Sequence, residues 1–369
     1  MKPVNTLYTA VHFQQVQFAC SVPLSKELKA TKPLEWWQET VIYQIYPRSF
    51  QDSDGNGVGD LNGITSRLDY FVDLGIEAIW ISPIYTSPMK DFGYDISDFR
   101  DIEPQFGTME DFKRMSEEFK KRGIKLIMDI VPNHSSDEHE WFNKSINRIE
   151  PYTDYYVWRD AKGRDSEGKP IPPNNWVSNF GGSGWEWNEQ RQQFYYHQFV
   201  IGQPDLNYEN IAVRNEMLAI VKFWLDLGVD GIRVDAVPFL YEDQAFPDDV
   251  PNPDRDPSSR PDEWRYWAHK WNFNLNGTFE FLADMRQLLD VYSYTDGYTR
   301  CMMVEAVVED EIMKKYYGEA NHPVSHFPFN FLLLDVKSNN TASDILSLID
   351  RWHDIVPEGR WPTFLGVQS

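Results

Sequence analysis

The chain has 369 residues, 41% hydrophobic and 15% aromatic, which suffices for a large core and one barrel-sized domain with an insertion. Its 35 basic and 57 acidic residues leave a formal net charge of −22, which argues against nucleic acid and anionic membranes as partners. Two cysteines, Cys20 and Cys301, make no disulfide framework, and no apolar run reaches the roughly 18 residues of a transmembrane helix.

Residues 1–33 carry no assignable element. The stretch 11–24 is mildly apolar but broken by His12, Gln14, Gln15, Gln17 and Pro23, so it makes an unconvincing signal peptide. From there strand and helix patterns alternate. Strands are expected over 41–46, 78–84, 124–131, 231–237, 301–305 and 327–334, and helices near 64–74, over 109–122 and over 215–227. Short apolar strands separated by amphipathic helices imply parallel strands covered by helices, and this many repeats favours a (β/α)8 TIM barrel. An open doubly wound sheet is the alternative, although no Gly-rich nucleotide fingerprint follows the first strand. About 80 residues rich in Trp, Tyr, Asn and Gly separate the third strand from the next helix, too many for a loop. The barrel is therefore assigned to 34–133 and 206–369, with an inserted subdomain over 134–205 that walls the carboxyl end of the strands.

The segment Asp230-Gly231-Ile232-Arg233-Val234-Asp235 reads as a buried strand, yet it carries two charges on one face. Such charges are costly unless chemistry needs them; the bland reading is a structural ion pair. A second carboxylate, Glu305, ends the apolar run Cys301-Met302-Met303-Val304. Two carboxylates at the ends of different strands are what glycoside hydrolysis requires. Asp129, Asn133 and His134 converge on the same end of a third strand. In the loop 52–60, Asp52, Asp54, Asn56, the Val58 carbonyl and Asp60 alternate as in the first part of an EF-hand loop. A structural Ca²⁺ is expected there, the alternative being a plain Asp/Asn/Gly turn; no organic cofactor is expected. Triplets at Asn143, Asn276 and Asn339 would permit N-glycosylation in a secretory setting.

Five segments carry a resemblance. They are Tyr43-Gln44-Ile45-Tyr46-Pro47-Arg48-Ser49-Phe50, Asp129-Ile130-Val131-Pro132-Asn133-His134, Gln203-Pro204-Asp205-Leu206-Asn207, and those around Asp235 and Glu305. Jointly they resemble the α-amylase superfamily, glycoside hydrolase family 13, in its maltase or α-glucosidase branch, as in insect maltases. The resemblance implies that Asp235 is the nucleophile and Glu305 the general acid/base of a retaining double displacement, with carboxyls about 5–5.5 Å apart. Arg233 is expected to hold Asp235 ionised, and deeper burial to hold Glu305 neutral. Asp91, His134 and Gln203 would bind hydroxyls of a terminal glucose, and Tyr94 would stack on its ring. Ala236, small and next to the nucleophile, looks like the α-1,4 type, so the expected substrates are maltose, sucrose and malto-oligosaccharides. The resemblance also implies secretion.

The family pattern departs after Trp361-Pro362-Thr363-Phe364-Leu365-Gly366. Where an Asn-His-Asp triplet with the third catalytic carboxylate is expected, the chain reads Val367-Gln368-Ser369. The expectation is a truncated barrel without its C-terminal β domain, poorly stable and nearly inactive. A non-catalytic relative, of the kind that serves as a transporter heavy subunit or a surface receptor, is the alternative function.

Overall fold

Six short strands lie side by side in the order in which the chain makes them. The computed structural model describes residues 33–365, so the expectations for residues 1–32 and for Gly366 to Ser369 lie outside the described residues. Nearly all of these residues belong to one compact unit, Glu35–Ser369. The strands are β1 (Ile42–Ile45), β2 (Ala78–Ile81), β3 (Lys125–Ile130), β4 (Gly231–Val234), β5 (Cys301–Val304) and β6 (Phe327–Pro328), and every neighbouring pair is parallel. A doubly wound sheet needs a reversal of strand order, so the alternative falls. The sheet is an incomplete (β/α) barrel.

Side chains alternate between two faces. Ile79 and Ile81, Leu126, Met128 and Ile130, Ile232 and Val234, and Met302 and Val304 face one core, shared with the covering helices. Ala78 and Trp80, Ile127, and Cys301 and Met303 face the other. Gly231 belongs to the second face, where a Cβ would lie 2.8 Å from the Cys301 carbonyl oxygen. The interior is thus apolar at its amino end, and the charges sit above it.

Seven of the helices are labelled α1 (Leu61–Ser66), α2 (Leu68–Leu74), α3 (Met109–Lys121), α4 (Ile211–Asp226), α5 (Asn276–Asp296), α6 (Asp310–Tyr317) and α7 (Ala342–Ile355); Trp36–Glu39, Pro47–Phe50 and Glu140–Ile146 are short helices besides. Asp60 caps α1 by accepting from the Gly63 N–H, while Thr108 and Asp111 form a capping box on α3. The single helix expected near 64–74 is two, because Arg67 leaves helical geometry at φ −108°, ψ 10°. The strand expected over 327–334 stops at Pro328 and gives way to a 3-10 turn at Leu332–Asp335. The one expected over 231–237 stops at Val234, because Ala236 adopts φ 47°.

The ends of the 134–205 excursion meet in an antiparallel bridge between His134 and Asp205. Within it, Trp158–Arg159, Gln193–Tyr196 and Trp185–Asn188 form a three-stranded antiparallel sheet. Its Trp176, Trp185, Phe194 and Tyr196 bury against Phe246 from a second excursion, which follows β4. That second loop also binds the first by polar contacts: Asn174 Nδ2 donates to the Phe246 carbonyl at 3.2 Å and Trp176 Nε1 to the Pro247 carbonyl at 2.9 Å.

Candidate active site

Register sets the centre of the site. Arg233 pairs with Asp129 on β3 and with Met303 on β5, so it enters the interior one layer above Gly231. Its Nη1 lies 2.8 and 3.0 Å from the two Asp129 oxygens and also binds Asp235, while Nη2 lies 2.8 Å from Glu305 Oε2. Asp129 is fully buried and accepts further hydrogen bonds at 3.2 Å from Trp80 Nε1 and the Tyr94 hydroxyl. One guanidinium therefore serves three carboxylates. Burial opposes its charge, but Asp129, Asp235 and Glu305 overrule this and raise Arg233 well above its ordinary value. The same burial pushes Asp129 up to about 6 against the pull of Arg233.

Asp235 and Glu305 follow the adjacent strands β4 and β5. The two side chains lie side by side on one guanidinium, Asp235 on Arg233 Nη1 and Glu305 on Nη2. The left-handed turn at Ala236 directs its N–H to Glu305 Oε2 at 3.2 Å. The expected order of burial is reversed. The Asp235 side chain is 12% exposed and that of Glu305 30%, although each directly follows its strand. Burial pushes the Asp235 carboxyl well above the usual range, and Arg233 pulls it down.

Asp91 accepts from Gln203 Nε2 at 2.8 Å, joining the loop after β2 to the end of the first excursion. Burial raises the Asp91 carboxyl, and the Gln203 bond opposes this. The Asp91 loop is built around Asp95, fully buried, which accepts from Ser87 Oγ and from the Lys90 and Asp91 N–H groups at 2.9–3.0 Å. His134 lies beneath this loop. Its Nδ1 faces Asn133 Oδ1 at 2.9 Å and its Nε2 the Tyr94 carbonyl at 3.2 Å. Asn133 Nδ2 donates to the Phe239 carbonyl at 2.8 Å, so Oδ1 is an acceptor and both ring nitrogens face acceptors. Burial depresses His134 to about 4, leaving one N–H for the two, and neither nitrogen is turned toward open space. A cleft of about 610 Å³ adjoins Lys90 and Gly202, lined by Phe180, Trp185, His197 and Phe199; none of Arg233, Asp235 or Glu305 lines it.

Sequence reasoning gave Asp129 no role of its own and missed Trp80 and Asp95. Asp129 carried the same signal as Arg233, a charge inside an apolar strand. Asp95 carried none beyond its place in Asp91-Phe92-Gly93-Tyr94-Asp95.

In the loop before α1, one carboxylate oxygen each of Asp52, Asp54 and Asp60 lie within 4.8 Å of one another. Among the described residues none of the three has a Lys or Arg partner; Asp52 accepts instead from the Asp54, Gly55 and Gly57 N–H groups, and Asp60 from Ser53 and Gly63, while oxygen donors of the kind a hard cation takes converge here. In the same loop Asn56 Oδ1 accepts from the Val58 N–H at 2.7 Å, and Asn56 Nδ2 donates to Asp54 at 3.1 Å.

A sequential parallel barrel with two carboxylates at adjacent strand ends and an arginine beneath them is the architecture of a glycoside hydrolase. The alpha amylase catalytic domain matches residues 44–366, and the chain belongs to that family. It is 48% identical to maltase A2 of Drosophila melanogaster over 334 residues, covering 89% of this chain and 58% of that protein. It is 44% identical to a salivary alpha-glucosidase of Aedes aegypti, covering 92% and 59%. The crystal structure of the alpha-glucosyl transfer enzyme XgtA superposes with a TM-score of 0.80 at 40% identity, covering 90% of this chain and 60% of that one. The chain thus spans less than two thirds of these relatives.

Proposed function

We propose that this protein is a retaining α-glucosidase that releases terminal α-1,4-linked glucose from maltose, sucrose or short malto-oligosaccharides. The observation that carries this reading is that Asp235 and Glu305, at adjacent strand ends, both bind the one Arg233 guanidinium. Asp235 attacks the anomeric carbon while Glu305 protonates the leaving oxygen; water then hydrolyses the glucosyl-enzyme with Glu305 as base. Glu305 Oε2 faces Arg233 Nη2 and the Ala236 N–H, so Glu305 turns away from them to reach the leaving oxygen as the sugar enters. Arg233 then serves Asp235 and Asp129 alone. Asp91 and Gln203 grip sugar hydroxyls, Tyr94 forms the ring platform, and His134 supports Tyr94 from below. The salivary relative favours secretion. We further propose a structural Ca²⁺ on Asp52, Asp54 and Asp60, completed by Asn56 and the Val58 carbonyl.

The test is covalent trapping. A cyclophellitol-type epoxide should add one glucosyl-sized mass to the peptide bearing Asp235, and Asp235→Asn should abolish both the label and hydrolysis of p-nitrophenyl α-glucoside. A folded protein that neither takes the label nor turns over would support the non-catalytic reading instead.

A further inference from the structure

Four Asn-X-Ser/Thr triplets occur among the described residues: Asn133-His134-Ser135, Asn143-Lys144-Ser145, Asn276-Gly277-Thr278 and Asn339-Asn340-Thr341. A glycosyl-transfer enzyme must hold the asparagine and the hydroxyl two residues later at the same time. The fold leaves both groups exposed at one triplet. Asn133 is 1% exposed and its amide donates to the Phe239 carbonyl, so a glycan there is incompatible with the site. Asn143 and Asn276 are exposed, but Asn143 lies within the helix Glu140–Ile146 and Asn276 opens α5. In a helix, residues two apart point about 200° from each other. The hydroxyl partners accordingly point inward: Ser145 and Thr278 are fully buried, and Ser145 Oγ is held by the Thr153 carbonyl and Trp158 Nε1.

Asn339 differs in exposure: its partner hydroxyl, on Thr341, donates to Asp344 Oδ2 at 2.9 Å, but in an exposed capping box rather than a buried pocket. It lies in the turn between Leu332–Asp335 and α7, and Asn339, Asn340 and Thr341 are all exposed. Thr341 is the residue preceding α7 and has extended backbone, φ −89°, ψ 166°. We infer that Asn339 is an N-glycosylation site and carries a glycan in the secreted protein. Asn339 Nδ2 bonds to the anomeric carbon of an oligosaccharide delivered on a lipid diphosphate; the carbon–oxygen bond to phosphate breaks, and the diphosphate leaves with the amide proton. The inference rests on the secretory reading.

The experiment expresses the natural full-length product in insect cells with a C-terminal tag containing one acceptor asparagine. N-glycosidase treatment in heavy-oxygen water converts each occupied asparagine to labelled aspartate, read by peptide mass. Label at Asn339 and none at Asn133 is the expected result. Asn339→Gln should remove one glycan's step in gel mobility, and Thr341→Ser should keep it. A labelled tag with Asn339 unlabelled overturns the assignment while leaving secretion standing. Label on neither overturns both.

Discussion

Replacing Asp129 by asparagine tests whether a buried carboxylate is held at an energetic cost beneath the site. Asp129 is fully buried, and its carboxyl is pushed up to about 6, by burial first, with Arg233 pulling the other way. An aspartate in the unfolded chain titrates near ~3.9. The folded state therefore holds the proton more tightly. The stability this gives is complete below about pH 4 and is lost as pH rises through about 6. Two units at ~1.36 kcal/mol each make the loss about 3 kcal/mol. Asparagine keeps the shape and an acceptor for Trp80 and Tyr94 but cannot ionise. It also weakens the bond to Arg233, which lowers stability by an offset at every pH. Asp129 further raises Asp235, so its removal relieves that carboxyl in the same direction. The readout is the change in the stability gap between variant and parent, which should move by about 3 kcal/mol in the variant's favour from about pH 4 to pH 7. Urea unfolding followed by tryptophan fluorescence across that range measures it. Parallel stability profiles for the two proteins would refute the reasoning.

Gly231→Ala should crowd β4 against Cys301 and Ile127 and cost about 1–3 kcal/mol; an unchanged urea midpoint counts against it. Calcium at about a hundredfold excess over its Kd should stabilise the protein by about 2.7 kcal/mol. Melting with and without a chelator checks this, and Asp54→Ala should erase the difference. Gln203→Leu removes the bond that holds the Asp91 carboxyl down, so Asp91 rises further. On the proposed reading KM should rise more than kcat falls, and the acidic limb of kcat/KM should move to higher pH; a fall in kcat alone would place Gln203 elsewhere in the cycle.

The barrel was legible in the sequence because each interior strand is an apolar run bounded by turn residues, as in Ala78–Ile81 before Pro83. Arg233, Asp235 and Glu305 were legible because charge in such a run stands out. Their relative burial was not, since both directly follow the end of an apolar strand and no local pattern separates them. The extent of β6 depended on Pro328, which has no N–H to continue a ladder. α5 opens with Asn276-Gly277-Thr278, weak helix formers, and was not foreseen. The second excursion has no periodicity. Its order comes from contacts such as Asn175 Nδ2 to the Asp249 carbonyl at 3.0 Å, made between segments far apart in the chain.

The bridge between His134 and Asp205 has a consequence for the order of folding. β3 and β4 are neighbours in the sheet, yet about 100 residues separate them in the chain, the least local pairing among these strands. Once the excursion closes on itself, with the Leu206 N–H donating to the Asn133 carbonyl at 2.9 Å, roughly 30 residues of connection remain, including α4. The closure entropy falls by only roughly 1 kcal/mol. The larger effect is on placement: with the insert closed, the connection that leads through α4 to β4 restarts beside the carboxyl end of β3.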